Sequence, residues 1–240
     1  VPKINMPKIE NKLLVKNESN KEKAEMYLYG VIRKKSFWDN EDSEFISANK
    51  VKGMLDELNN KDVNIHINSN GGDVFESISI CNMLKKYEGE VNIIVDAMAA
   101  SGASIILTGA DKIFMYANSM QMIHKAWTIC SGNADQLMKQ AKDMEKIDES
   151  VKASYMNNFV GEKEELERLI SDETFLTAEE CLTFGFCDVI LDDEDEDDNN
   201  GDDKNDDLKE NLLNKYKSVS ASANNKNDDD VVNLLKKFRR

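Results

Sequence analysis

The stretch NSNGGDVFES, residues 68–77, decides how the chain is read. It follows directly on VNIHI (63–67), whose strict alternation marks a half-buried strand. Two successive glycines cost backbone entropy, so they stand where the chain turns tightly or where something approaches the backbone closely. We therefore expect a strand over 63–68, a tight turn at Gly71–Gly72, and a helix over 74–86 carrying Ile78, Cys81 and Leu84.

Outward from that point the alternation of strand and helix repeats. MYLYGVI (26–32) reads as a strand, and 47–59 as a helix with Val51, Leu55 and Leu58 on one side. VNIIVD (91–96) is a further strand. AASGASIILTGA (99–110) is small and apolar on every side, which predicts a fully buried helix. DKIFMY and MQMIH read as short strands. A long amphipathic helix is expected from Ala134 to Phe159, striped by Leu137, Ala141, Met144, Ile147, Val151 and Tyr155. A short helix over 162–170 follows. Thr177 and Glu180 then have the spacing of a capping box for a helix that stops at Gly185, before a last strand, CDVI. Strands alternating with helices imply an α/β domain with a largely parallel sheet flanked by helices.

Composition sets the bounds. A chain of 240 residues holds one substantial domain and an appendage. A net charge of −15 argues against nucleic-acid binding, and no apolar run approaches a membrane span. The polar start, VPKINMPKIENKLLVKNESNK, has no signal-peptide core, which points to a cytoplasmic protein. Cys81, Cys130, Cys181 and Cys187 form no metal-ligand spacing and read as reduced thiols. After Ile190 comes LDDEDEDDNNGDDKNDD, which repels itself and buries nothing. The expected organisation is a flexible segment over 1–24, the α/β domain over 25–190, and an acidic, largely disordered tail over 191–240. Within that tail, DLKENLLNKYKSV and DDDVVNLLKKFRR are candidate short helices.

Three groups suit nucleophilic chemistry. Ser101, flanked by Ala and Gly at the start of the buried helix, is either a helix cap or small packing residue, or a nucleophile beside helix N–H groups. The chain has only two histidines. His124 ends a strand and can project from the sheet edge, whereas His66 lies inside VNIHI on the face opposite Ile65 and Ile67. His124 is therefore the better base for an activated serine. A carboxylate to orient it is sought in ISDETFLTAEE, where Asp172 and Glu173 are either that group or solvated loop acids. The Gly71–Gly72 turn is either only a turn or a side-chain-free edge facing the carbonyl under attack.

Taken in order, INSNGGDVFESISICNML, MAASGASIILTGADKIFMYANSMQMIH and ETFLTAEECLTFGFCDVI resemble the ClpP family of serine peptidases over about residues 25–190. The resemblance implies a crotonase-like α/β fold and Ser–His–Asp catalysis without a cofactor or metal. It makes Ser101 the nucleophile, His124 the general base, and the N–H groups of Gly71 and Gly102 the oxyanion hole. Gly72, Trp127 and Ile129 would contact bound peptide, the last two within AWTICSGNA (126–134). The long helix resembles the handle by which rings stack, and implies a homo-oligomeric ring, a heptamer or stacked rings. The third triad position falls on Glu173, with Asp172 as the alternative. Asn70 stands where the family usually has proline, the usual proline after the histidine is missing, and the N-terminus and acidic tail are foreign to the housekeeping enzymes. SNGGDVFES and TFLTAEE look more like the ClpP-related enzymes of phages and prophages that process head proteins. The partners so implied are capsid or scaffold proteins in a bacterial host cytoplasm. The alternatives are a degradative peptidase fed by an AAA+ unfoldase, a crotonase-type acyl-CoA enzyme, a Ser–Lys relative, and an inert scaffold module.

Overall fold

The computed structural model describes residues 8–40 and 42–191. The acidic tail, and the two helices expected in it, lie outside the described residues.

Among the described residues, eight strands and six helices alternate. They run β1 (Lys12–Lys16), β2 (Ala24–Ile32), α1 (Ala48–Leu58), β3 (Val63–Gly72), α2 (Val74–Leu84), β4 (Val91–Ala100), α3 (Gly102–Leu107), β5 (Lys112–Tyr116) and β6 (Met120–Ile123). Then come α4 (Ala134–Tyr155), α5 (Lys163–Ser171), β7 (Thr174–Thr177), α6 (Ala178–Phe184) and β8 (Val189–Leu191). The strands form one sheet in the order β1-β2-β3-β4-β5-β8, with β6 joined to β4 and β7 joined to β6. Among the described residues, only β1–β2 and β6–β7 pair antiparallel. The fold is thus the expected α/β architecture with a mostly parallel sheet. No helix among the described residues is long and apolar enough to cross a membrane.

Alternation does the sorting. Met26, Leu28, Ile65, Ile67, Ile93 and Val95 are buried, while Glu25, Tyr27, Asn64 and His66 face the other side and stay half-exposed. Helices begin and end on local chemistry. Asp73 caps α2 by accepting from Phe75 and Glu76 N–H, and Asn133 and Gln136 form a capping box at α4. The Thr177–Glu180 box opens α6 as expected, and Gly185, at φ 78°, closes it.

Four expectations change. Gly71–Gly72 is not a turn: β3 runs straight through both glycines, and the irregularity is a bulge, with Tyr29 opposite Asn68 and Val31 opposite Gly71. The Ser69 hydroxyl fills that bulge, accepting from Gly71 N–H at 3.0 Å and donating to Gly30 C=O at 2.6 Å. The buried helix is shorter than 99–110, because β4 continues to Ala100 and α3 keeps only six residues. Residues 12–16, assigned to a flexible segment, form β1 and pair with β2. Thr174–Thr177, expected as a loop, forms β7.

Candidate active site

β4 changes partner along its length, and that change builds the site. Asn92–Val95 pair with β5, whereas Met98–Ala100 pair with β6 in the register Ala100↔Met122. Parallel neighbours ending at the same level bring the residues just beyond them together. Ser101 follows Ala100, its N–H donates to Met122 C=O at 2.8 Å, and His124 stands two residues past Met122. Ser101 Oγ lies 2.7 Å from His124 Nε2.

Ser101 occupies the N-cap position of α3, but its side chain makes no capping hydrogen bond. Its backbone sits at φ 55°, ψ −123°, a region that costs a non-glycine residue about 1–3 kcal/mol and persists only where the surroundings enforce it. Gly71 is what makes room. A Cβ there would lie 2.5 Å from Ala100 O and 2.8 Å from Ser101 Cβ, and φ is +88°.

The two glycines differ in what their N–H groups do. The Gly71 N–H is already donated to Ser69 Oγ, so the expected Gly71–Gly102 donor pair has one member engaged elsewhere. Gly72 is placed differently. The next N–H, that of Asp73, donates to Ile32 C=O across β2. Successive groups of a strand alternate sides, so the Gly72 N–H is turned toward β4. A Cβ on Gly102 would lie 3.4 Å from Gly72 N, which sets the two backbones side by side. Gly102 is the first residue of α3 and has no intrahelical acceptor for its N–H. With only six residues, α3 adds little macrodipole, and its contribution is individual N–H groups.

Both candidate carboxylates are exposed, and no hydrogen bond among the described residues joins either to His124. They are not equivalent, however. β6 and β7 are antiparallel with Ile123 opposite Thr174, so one further step along the ladder faces His124 with Glu173. Glu173 holds a left-handed φ of 51°. Asp172, one residue back, is the C-cap of α5.

Past His124 the chain runs to Asn133 without regular secondary structure. Ala126 N–H donates to Asp148 Oδ1 on α4 at 2.9 Å, and Trp127 and Ile129 are exposed by 66% and 88%. Phe75, at the start of α2 beside Gly72, is another exposed apolar group. Sequence reasoning missed Ser104, whose hydroxyl lies 2.6 Å from Ser101 C=O and 3.1 Å from Met122 C=O. Its position in SGAS, one helical turn after Ser101, was the available signal. No cluster of His, Cys, Asp and Glu among the described residues could hold a metal.

A family model described as Clp protease matches residues 36–194. The ATP-dependent Clp protease proteolytic subunit of Deinococcus radiodurans is 30% identical over 142 residues, covering 58% of this chain and 70% of that protein. The family match takes in everything from the loop after β2 to β8, and the chain belongs to the Clp protease family.

Proposed function

We propose that this member of the family is a serine endopeptidase that cleaves peptide bonds through an acyl-enzyme, with Ser101 as nucleophile and His124 as general base. The observation that carries the reading is the 2.7 Å approach of Ser101 Oγ to His124 Nε2, made by a serine held at φ 55°. His124 Nε2 takes the hydroxyl proton as Oγ attacks the scissile carbonyl. The N–H groups of Gly72 and Gly102 receive the oxyanion, in place of the Gly71–Gly102 pair. His124 then returns the proton to the leaving amine, and water repeats the sequence to release the acyl group. Glu173 orients the imidazole from across the β6–β7 ladder, with Asp172 as the alternative. The segment around Trp127 and Ile129, which has no regular secondary structure of its own, receives the substrate as an added strand, Gly72 lining the other side. A fluorophosphonate probe, with the modified residue located by mass spectrometry, tests this. Label on Ser101, lost in Ser101→Ala, is the expected result; a modified residue elsewhere overturns it.

The substrates we assign are capsid or scaffold proteins of a phage head, cut without an ATPase, by a homo-oligomeric ring in the host cytoplasm. SNGGDVFES, TFLTAEE and the atypical N-terminus support this assignment. The competing reading, a degradative peptidase fed by an unfoldase, draws on the Deinococcus relative, which is named as the subunit of an ATP-dependent protease. Cleavage of folded and unfolded proteins with and without an unfoldase separates the two, and strict ATPase dependence counts against head processing.

A further inference from the structure

We infer that the hydroxyl of Tyr155, acting through Ser104, is a positioning group that holds the nucleophile's strained turn in its reactive geometry. The inference rests on Ser101 being the nucleophile, and it concerns residues outside the triad and the oxyanion hole.

Three oxygens surround Ser104 Oγ: Ser101 C=O at 2.6 Å, Met122 C=O at 3.1 Å and the Tyr155 hydroxyl at 2.8 Å. Both carbonyls can only accept, and a serine hydroxyl has one proton to give. If Ser104 spends that proton on a carbonyl, the Tyr155 hydroxyl must be the donor to Ser104 Oγ. Tyr155 is 1% exposed, and burial raises its pKa, so the phenol stays neutral and keeps its proton. The result is a directed chain, Tyr155 O–H to Ser104 Oγ–H to Ser101 C=O, in which each bond polarises the next.

The carbonyl at the end of that chain belongs to the residue at φ 55°. Ser101 C=O also accepts from Ser104 N–H at 3.0 Å and, more distantly, from Ile105 N–H at 3.4 Å. Those contacts come from α3 itself and move with it. Tyr155 comes from α4, a separate element, where its ring packs edge-on against Phe186 at 5.8 Å between centroids. The brace therefore fixes the turn to the body of the protein. Without the phenol proton, Ser104 can exchange its acceptor between Ser101 C=O and Met122 C=O, which lie on the two strands that carry Ser101 and His124. The same helix holds the other limb, since Asp148 accepts from Ala126 N–H two residues past His124.

The test uses the full chain and a fluorophosphonate probe, reading the rate of Ser101 labelling and the melting temperature together. Tyr155→Phe deletes one oxygen and keeps the ring; Ser104→Ala removes the relay. Each should slow labelling by about tenfold, because small misplacements of a reacting group are costly in rate, with the folded fraction unchanged. The double variant should be no slower than either single one, since the two groups act in one chain. Wild-type rates in both single variants, additive losses in the double variant, or a loss that follows the folded fraction alone would overturn the inference. Wild-type protein with no label on Ser101 would remove the nucleophile assignment and this inference with it.

Discussion

The two histidines of this chain stand on neighbouring parts of one sheet and are held in opposite ways. His66 has a carboxylate on each ring nitrogen: Asp96 Oδ1 lies 3.0 Å from Nδ1, and Glu25 Oε2 lies 3.1 Å from Nε2. Its ring stacks on Tyr27 at 4.7 Å, and Tyr29 donates to Asp96. Two acceptors require two donors, so this site selects the imidazolium. His124 Nε2 instead faces the Ser101 hydroxyl, and there the nitrogen must accept. One ring is built into a cross-strand ion cluster, and the other turns its Nε2 to a serine hydroxyl. The environment, not the residue type, separates a structural histidine from a base.

That contrast breaks most visibly in activity. Ser101→Ala and His124→Ala should each lower kcat/KM on a peptide substrate by at least about a thousandfold, and combining them should cost little more. His66→Gln should change kcat by less than about twofold. A strong kinetic defect in His66→Gln beside a mild one in His124→Ala would reverse the two roles. The next largest effect is expected at Gly72. There an added Cβ meets the Ile32 carbonyl, at a φ of +150° that side chains avoid, so Gly72→Ala displaces the backbone N–H assigned to the oxyanion. A fall of about a hundredfold in kcat is expected from losing such a donor. An unchanged kcat would move the oxyanion hole elsewhere.

The difference between the histidines was only half legible in the sequence. MQMIH showed that His124 leaves a strand end, and VNIHI showed which face His66 takes, because both follow from local alternation. The partners of His66 were hidden, since Glu25 and Asp96 come from strands 41 and 30 residues away. The glycine pair misled for a related reason. A bulge filled by the Ser69 hydroxyl and a tight turn present the same residue types, and only the register with β2 distinguishes them. β1, with lysines at both ends, and the four-residue β7 lack a pattern of their own, and become strands because β2 and β6 offer edges. The parallel sheet and the capping box of α6 were readable from strand–helix alternation and a three-residue spacing, whereas Ser101 and His124, 23 residues apart, were brought together by the family resemblance.

A smaller effect separates the two carboxylates. Replacing a buried aspartate bonded to the catalytic histidine costs about 10⁴ in kcat. Both acids here are exposed, so far less is at stake. Glu173→Gln should lower kcat by about tenfold and Asp172→Asn by less than about twofold, measured on the same peptide. The reverse order would assign the orienting role to Asp172, and no effect from either would leave the imidazole held by other groups.

The smallest expected effect tests the His66 side of the comparison by pH. Burial alone would lower the pKa of His66, but the hydrogen bond and charge of Asp96, then those of Glu25, outweigh it and raise the pKa above its ordinary 6.5. The other groups facing the ring do not reverse this. Tyr29 stays a neutral donor because burial, and then Asp96, push its pKa up, while Lys12 lies over the Tyr27 ring at 4.2 Å and Lys16 at 5.5 Å. A folded state that holds the proton more tightly than the unfolded chain is stabilised by protonation. The contribution is therefore complete below the unfolded value of about 6.5 and disappears as pH rises through the higher folded value. Denaturation midpoints of wild type and His66→Gln, compared across that range, should converge as pH increases. His66→Gln should leave the pH profile of peptide cleavage in place. A stability difference that is flat or widens with pH would mean that His66 is not held as a cation. A shift of the activity profile in His66→Gln would mean that the two histidines are coupled rather than independent.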